Sequence, residues 1–343
     1  MNEVSKRMQK HQISKYKWIG ASFVVSIVLM AIKFFAFYLT DSNAILTDAV
    51  ESIINVFASG FAFYSIYLAA QPKDANHPYG HGKIEYFSTG FEGALIMIAG
   101  LYILYETVRR YFDPTPVENL GYGFLLLSST ILINGSLGLG LLNAGKKTNS
   151  VALQADGQHL LVDSLSSMFV LVGVGLIWLT GLAWIDTLVS LLVACFILFS
   201  GFKLVRRSIA ALMDEVDVAV VNSVVQIIST NKKQEWIDVH NLRVQRYGPD
   251  LHVDCHLTLP NYWDLTQVHQ SIHTLEEILE ANTQGNLEIF IHADPCLPDC
   301  CKYCRVQNCP VRTQALARDI DWNVENLTKN QKHFVAFVNS LDN

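Results

Sequence analysis

Six apolar stretches follow one another with only short links between Tyr16 and Leu204: Lys17–Thr40, Ala44–Ala70, Tyr86–Tyr111, Gly121–Asn143, Ala155–Thr180 and Leu182–Leu204. Each has the roughly 20 residues a helix needs to cross about 30 Å of hydrocarbon. A large soluble bundle also contains apolar helices, but six in succession argue for a bilayer. After Val205 the charge density rises and the long runs stop, so the 343-residue chain reads as a membrane half and a soluble half. The overall composition, 51% apolar and 16% charged, is the average of these two unlike parts. No cleavable signal is expected, because the first run is too long and lacks a small-residue cleavage site. The net charge of −6 singles out no partner, and nucleic acid is not expected as one.

Basic residues in short loops set orientation. Lys6, Arg7, Lys10, Lys15 and Lys17 precede or open the first run. Lys73 and Lys83 lie in the second loop, Lys146 and Lys147 in the fourth, and Lys203, Arg206 and Arg207 close the sixth run. The opposite loops carry almost none beyond Arg109 and Arg110 at a helix end. Both termini are therefore expected in the cytoplasm of a multi-pass cell-membrane protein.

Polar residues inside the runs are the candidates for chemistry. The second run contains "TDAVESIIN", with Glu51 and Asn55 four residues apart, and the fifth contains "QHLLVDS", with His159 and Asp163 at the same spacing. Residues at i and i+4 share a helix face, so each helix offers two donors pointing the same way. A charge at mid-membrane depth costs at least about 2.5 kcal/mol and marks a pathway or a pairing. One such pair is more simply a buried hydrogen-bond network. Two pairs at matching spacing suit a divalent first-row metal. Asp48 and Asp156 read as helix caps or as groups on the approach to that site. The loop "KDANHPYGHGKIEYF" adds Asp74, His77 and His81, a carboxylate and two imidazoles suited to a second divalent ion at the cytoplasmic mouth.

Together these elements resemble the cation diffusion facilitator family of metal/proton antiporters. The resemblance spans about residues 14–296, through the acidic motif in helix two, "HPYGHGKIE", the H-x-x-x-D motif in helix five and the final "HADPC". It implies an α-helical membrane protein with six transmembrane helices plus a C-terminal α+β ferredoxin-like cytoplasmic domain. It also implies a homodimer that exchanges cytoplasmic divalent metal for protons, with Glu51, Asn55, His159 and Asp163 as the transport ligands. The helix-two motif departs from the family pattern, in which zinc and iron/zinc members usually have His or Asp first and Asp second. With Asn the site holds two carboxylates at most, which neutralise a divalent ion and leave the site less distinctive for zinc. Zinc stays first because His159 is retained, with iron or manganese as alternative substrates. A membrane metal sensor that does not transport is the competing reading. An enzyme is not expected, since no nucleophile or base sits beside these ligands.

Beyond Arg207 the period changes. Helices are predicted over Asp217–Thr230 and Leu265–Ala281, and strands over Trp236–Tyr247, Leu251–Leu259 and Leu287–His292. The resemblance marks His240, His256, His269, His292 and Asp294 as metal ligands at the dimer contact. The expected divisions are a cytoplasmic segment 1–15, a transmembrane domain 16–205, a metal-binding domain 206–295 and a cysteine-rich tail 296–343. "PCLPDCCKYCRVQNCP" crowds Cys296, Cys300, Cys301, Cys304 and Cys309 together. In the cytoplasm a disulfide framework is not expected. Four thiolates, from Cys296, Cys300 or Cys301, Cys304 and Cys309, suit zinc, with an iron–sulfur cluster as the alternative. Residues 311–343 read as one or two surface helices.

Overall fold

The computed structural model describes residues 3–40, 43–112, 120–182, 184–248, 250–283 and 287–333. The chain divides into two compact units, Met1–Met213 and Asp214–Asn343.

Among the described residues the first unit holds six long helices: α1 (Glu3–Thr40), α2 (Asn43–Ala69), α3 (Ile84–Phe112), α4 (Leu120–Thr148), α5 (Val151–Thr180) and α6 (Trp184–Leu212). Among the described residues, His11–Phe35, Ser52–Ala69, Ile84–Arg109 and Thr187–Leu212 are long and apolar enough to cross a membrane. α4 and α5 are of comparable length, at 29 and 30 residues. Large apolar side chains point outward, with Leu132 and Leu179 each 73% exposed. Such a surface suits lipid and not water.

α3 packs chiefly on α6, α4 on α5 and α1 on α2. Two of these contacts are seated by reciprocal glycines. A Cβ on Gly93 would lie 3.0 Å from the Gly201 carbonyl, and one on Gly201 2.9 Å from the Gly93 carbonyl. Gly138 and Gly157 oppose each other in the same way across α4 and α5, each 2.9 Å from the other's carbonyl. Absent side chains let these backbones meet, the usual device where lipid removes the hydrophobic drive between helices.

α1 reaches back to Glu3, so most of the segment 1–15 continues the first helix. One expectation about an element end is corrected. α5 begins at Val151, which places Asp156 inside the helix, 1% exposed, and not at its cap. Ser150 is the capping residue: its hydroxyl accepts from the Leu153 amide at 3.4 Å.

The second unit runs α7 (Val218–Thr230), β1 (Asp238–Tyr247), β2 (Asp250–Leu259), α8 (Leu265–Asn282) and β3 (Leu287–Pro295), as the change of period predicts. Asp217 caps α7 and Asp264 forms a capping box with Gln267 on α8. β2 is central, antiparallel to β1 and parallel to β3. α7 and α8 touch each other and pack on β1 and β3, respectively. Val224, Ile228, Trp236, Leu257, Leu275 and Leu279 form the shared core.

The tail corrects a second expectation. Residues 311–333 form no surface helix beyond the four-residue α9 (Val324–Leu327). Instead Ile320, Trp322 and Leu327 are buried in the core of the unit. Their spacing has no helical period because the segment lies over the core as an irregular strap.

Candidate metal sites

α2 and α5 meet where the i,i+4 spacing predicted. The His159 Nε2 atom lies 3.0 Å from Asn55 Oδ1, the Asn55 amide donates to Asp163 Oδ2 at 3.2 Å, and His159 Nε2 lies 3.5 Å from the same Asp163 oxygen. Donors from two helices thus converge on one point, with the Asn55 amide linking the imidazole and the carboxylate. Glu51 stands one turn before Asn55 on α2; its side chain and that of Asp48 lie outside the described residues.

A further acidic group was missed by sequence reasoning. Glu92 on α3 is 1% exposed and, among the described residues, neither carboxylate oxygen has a hydrogen-bond partner. It interacts electrostatically with Asp156 and Asp163 on α5. Asp156 also keeps one oxygen unpartnered. Asp156, His159 and Asp163 follow at i, i+3 and i+7, one face of α5. The signal was present as a lone acid in the apolar run "FEGALIM". The i,i+4 pattern does not mark it, because the positions one turn away on α3, Ser88, Thr89, Leu95 and Ile96, hold no acid or imidazole.

A separate polar lock ties three helices together. The Glu85 carboxylate, fully buried, accepts from Lys15 Nζ at 3.3 Å, from the Ser150 hydroxyl at 2.7 Å and from the Ala152 amide at 3.3 Å. It joins α1 and α3 to the N-terminus of α5, where the helix dipole favours an anion. Every charge is paired, so the network stabilises and offers no vacant donor.

In the loop after α2, Asp74, His77 and His81 place their donor atoms within 4.8 Å of one another. Asp74 lies 3.1 Å from His77 Nδ1 and 3.4 Å from His81 Nε2. The His77 amide donates to the Asp74 carboxylate at 2.6 Å. This bond, helped by the nearby imidazole, holds the Asp74 carboxyl below its ordinary range despite partial desolvation. The loop keeps Asp74 as an anion ready to bind a cation.

The third cluster is built by sheet register. His240, His256 and His292 are direct partners on β1, β2 and β3, with ring centroids 5.0 and 4.7 Å apart across the rung. Asp294, two residues further along β3, turns to the same face. Its Oδ2 lies 3.3 Å from His256 Nδ1 and 3.5 Å from His240 Nε2, and Oδ1 lies 3.7 Å from His292 Nε2. His240, His256 and Asp294 hold their donors within 4.8 Å. Burial holds the His240 imidazole below its ordinary pKa, which favours the neutral, metal-binding form. His269 does not join them in the described chain; it is exposed on α8. The tail adds residues that the sequence did not indicate. Lys332 lies 3.7 Å from Asp294, and the buried Asp238 carboxylate accepts from the His333 amide at 2.9 Å.

A family model described as the cation efflux transmembrane domain matches residues 19–213, and one for the cation efflux protein cytoplasmic domain matches 216–296. The chain belongs to the cation efflux, or cation diffusion facilitator, family. An uncharacterised transporter of Synechocystis sp. is 34% identical over 277 residues, covering 81% of this chain and 88% of its own. The cation-efflux pump FieF of Shewanella oneidensis is 30% identical over 290 residues, 83% of this chain and 97% of its own. FieF of Citrobacter koseri is 26% identical over 286 residues, 80% and 91% of the two chains. As a member of this family the chain is a membrane transporter of cations, with a cytoplasmic domain of the dimerising type. Residues from 297 onward fall outside both family matches.

Proposed function

We propose that this cation efflux transporter exports a divalent metal ion from the cytoplasm in exchange for protons, with zinc the first candidate and iron or manganese the next. The convergence of Asn55, His159 and Asp163 between α2 and α5 carries this reading. Metal binding requires an ionised Asp163 and a neutral His159, so the ion and the protons compete for one set of atoms. Protonation from the outer side then expels the ion. Glu51, one turn from Asn55, completes the ligand set, and Glu92 with Asp156 extends the acidic path along α5. Six membrane crossings, cytoplasmic termini and a homodimer are part of the same proposal, supported by the loop basic residues and by the match to a cytoplasmic dimer domain.

The cluster of His240, His256 and Asp294 favours metal sensing by the cytoplasmic domain as a regulator of this transport. Asp74, His77 and His81 form a loading site in the loop between α2 and α3. Equilibrium binding of zinc to the purified full chain tests the ligand assignment. Asp163→Ala and His159→Ala should each remove about one high-affinity ion per chain. Unchanged stoichiometry and affinity in both variants would move the transport site elsewhere.

A further inference from the structure

The cysteine-rich segment after β3 lies outside the transport reading and outside both family matches. Its five cysteines border one cavity of about 40 Å³, but their surroundings differ. Cys300 is 1% exposed; its sulfur accepts from the Leu297 amide at 3.5 Å and lies 3.3 Å from the Tyr303 hydroxyl. Tyr303 in turn donates to the buried Asp238. Cys300 is thereby engaged in the core network.

The remaining four, Cys296, Cys301, Cys304 and Cys309, border the same cavity and, among the described residues, take no part in that Tyr303–Asp238 network. Without Cys300 the spacing becomes C-x4-C-x2-C-x4-C. The two outer intervals, each of four residues, fall in the two-to-four-residue range of paired zinc cysteines. The plant-type iron–sulfur pattern shares the first two intervals but places its fourth cysteine apart from that run.

The Thr313 hydroxyl donates to the Cys301 sulfur at 3.6 Å. Arg312 holds the loop from inside, donating to the carbonyls of Cys301, Cys304 and Val306 at 3.2, 3.0 and 2.8 Å. Cys296 is anchored at the sheet edge by its amide bond to the Leu259 carbonyl at 2.9 Å. Among the described residues, the sulfurs are less tightly gathered than the donors of the two histidine clusters. An ion would draw them inward.

We infer that Cys296, Cys301, Cys304 and Cys309 form a structural zinc site, with Cys300 excluded from it. On binding, the four thiols release their protons to solvent and four zinc–sulfur bonds form, leaving an anionic site that the Arg312 guanidinium partly offsets. The site fixes an irregular strap that carries Trp322 and Leu327 into the core and Lys332 to the edge of the His240/His256/Asp294 cluster.

Cobalt(II) added to the purified, reduced full chain provides the test, because thiolate-to-cobalt charge transfer is absent from histidine and carboxylate sites. Wild type should give that band with the intense visible bands of a tetrahedral sulfur site, and zinc should erase both. Cys301→Ser and Cys309→Ser should each abolish the tetrathiolate spectrum. Cys300→Ser should keep it, as should His240→Ala, which removes a ligand of the other cluster. Should the serine variants fail to fold, wild type alone still decides through its spectrum and its zinc content as purified. No thiolate band, loss of the band in Cys300→Ser alone, or a brown iron–sulfur chromophore in the purified protein would each overturn the assignment.

Discussion

Asn55 is the residue on which the chemistry of the membrane site turns. Its carbonyl faces His159 and its amide group faces Asp163, so a neutral side chain occupies the position between imidazole and carboxylate. Asn55→Asp would add a charge to the ligand set and remove a donor that satisfies Asp163. Zinc should then bind about tenfold or more tightly, equivalent to about 1.4 kcal/mol, in a competition titration against a chromogenic chelator. Glu92→Gln should preserve the fold but slow proton-driven uptake by at least about tenfold, the scale of one lost charge interaction. The sequence revealed His159, Asp163 and Asn55 because a helical period of 3.6 leaves a readable i,i+4 mark. Glu92 has no such mark, since its partners are on another helix. Only the packing of α3 on α5 brings it near Asp156 and Asp163.

At the scale of elements, helix positions were legible wherever apolar periodicity or length was strong, and the six long helices and the α-β-β-α-β order follow from it. Helix seating was not legible, because it depends on which glycines face each other. Gly93 with Gly201 and Gly138 with Gly157 leave no space for a side chain. Gly93→Val or Gly157→Val should therefore destabilise the helical unit by about 1–3 kcal/mol, seen as a lower thermal midpoint in detergent. The tail was illegible for a related reason: Ile320, Trp322 and Leu327 are inserted singly into a core made by other elements. Leu327 is fully buried. Leu327→Ala should cost about 2–5 kcal/mol, measured as a shift in denaturant midpoint of the cytoplasmic unit followed by tryptophan fluorescence. A tail lying on the surface would leave that midpoint unmoved.

For the whole molecule, candidate metal donors gather, among the described residues, within the helices, in the loop after α2, across one rung of the sheet and in the cysteine-rich segment. The rung was partly legible, since alternation places His240, His256, His292 and Asp294 on strands. Their meeting depends on a register that spacing alone does not fix. If the rung regulates assembly, zinc should raise the dimer fraction of the full chain in analytical ultracentrifugation, and His240→Ala with His256→Ala should remove that response. The central claim is that Asn55, His159 and Asp163 carry a metal ion across the membrane. It is tested most directly by zinc, iron or manganese flux into proteoliposomes under an imposed pH gradient, with proton movement recorded at the same time. Wild type should accumulate at least one of these ions with counter-movement of protons, and Asp163→Ala should stop both. Wild type that binds metal but moves none of the three, or Asp163→Ala that transports as well as wild type, would contradict it.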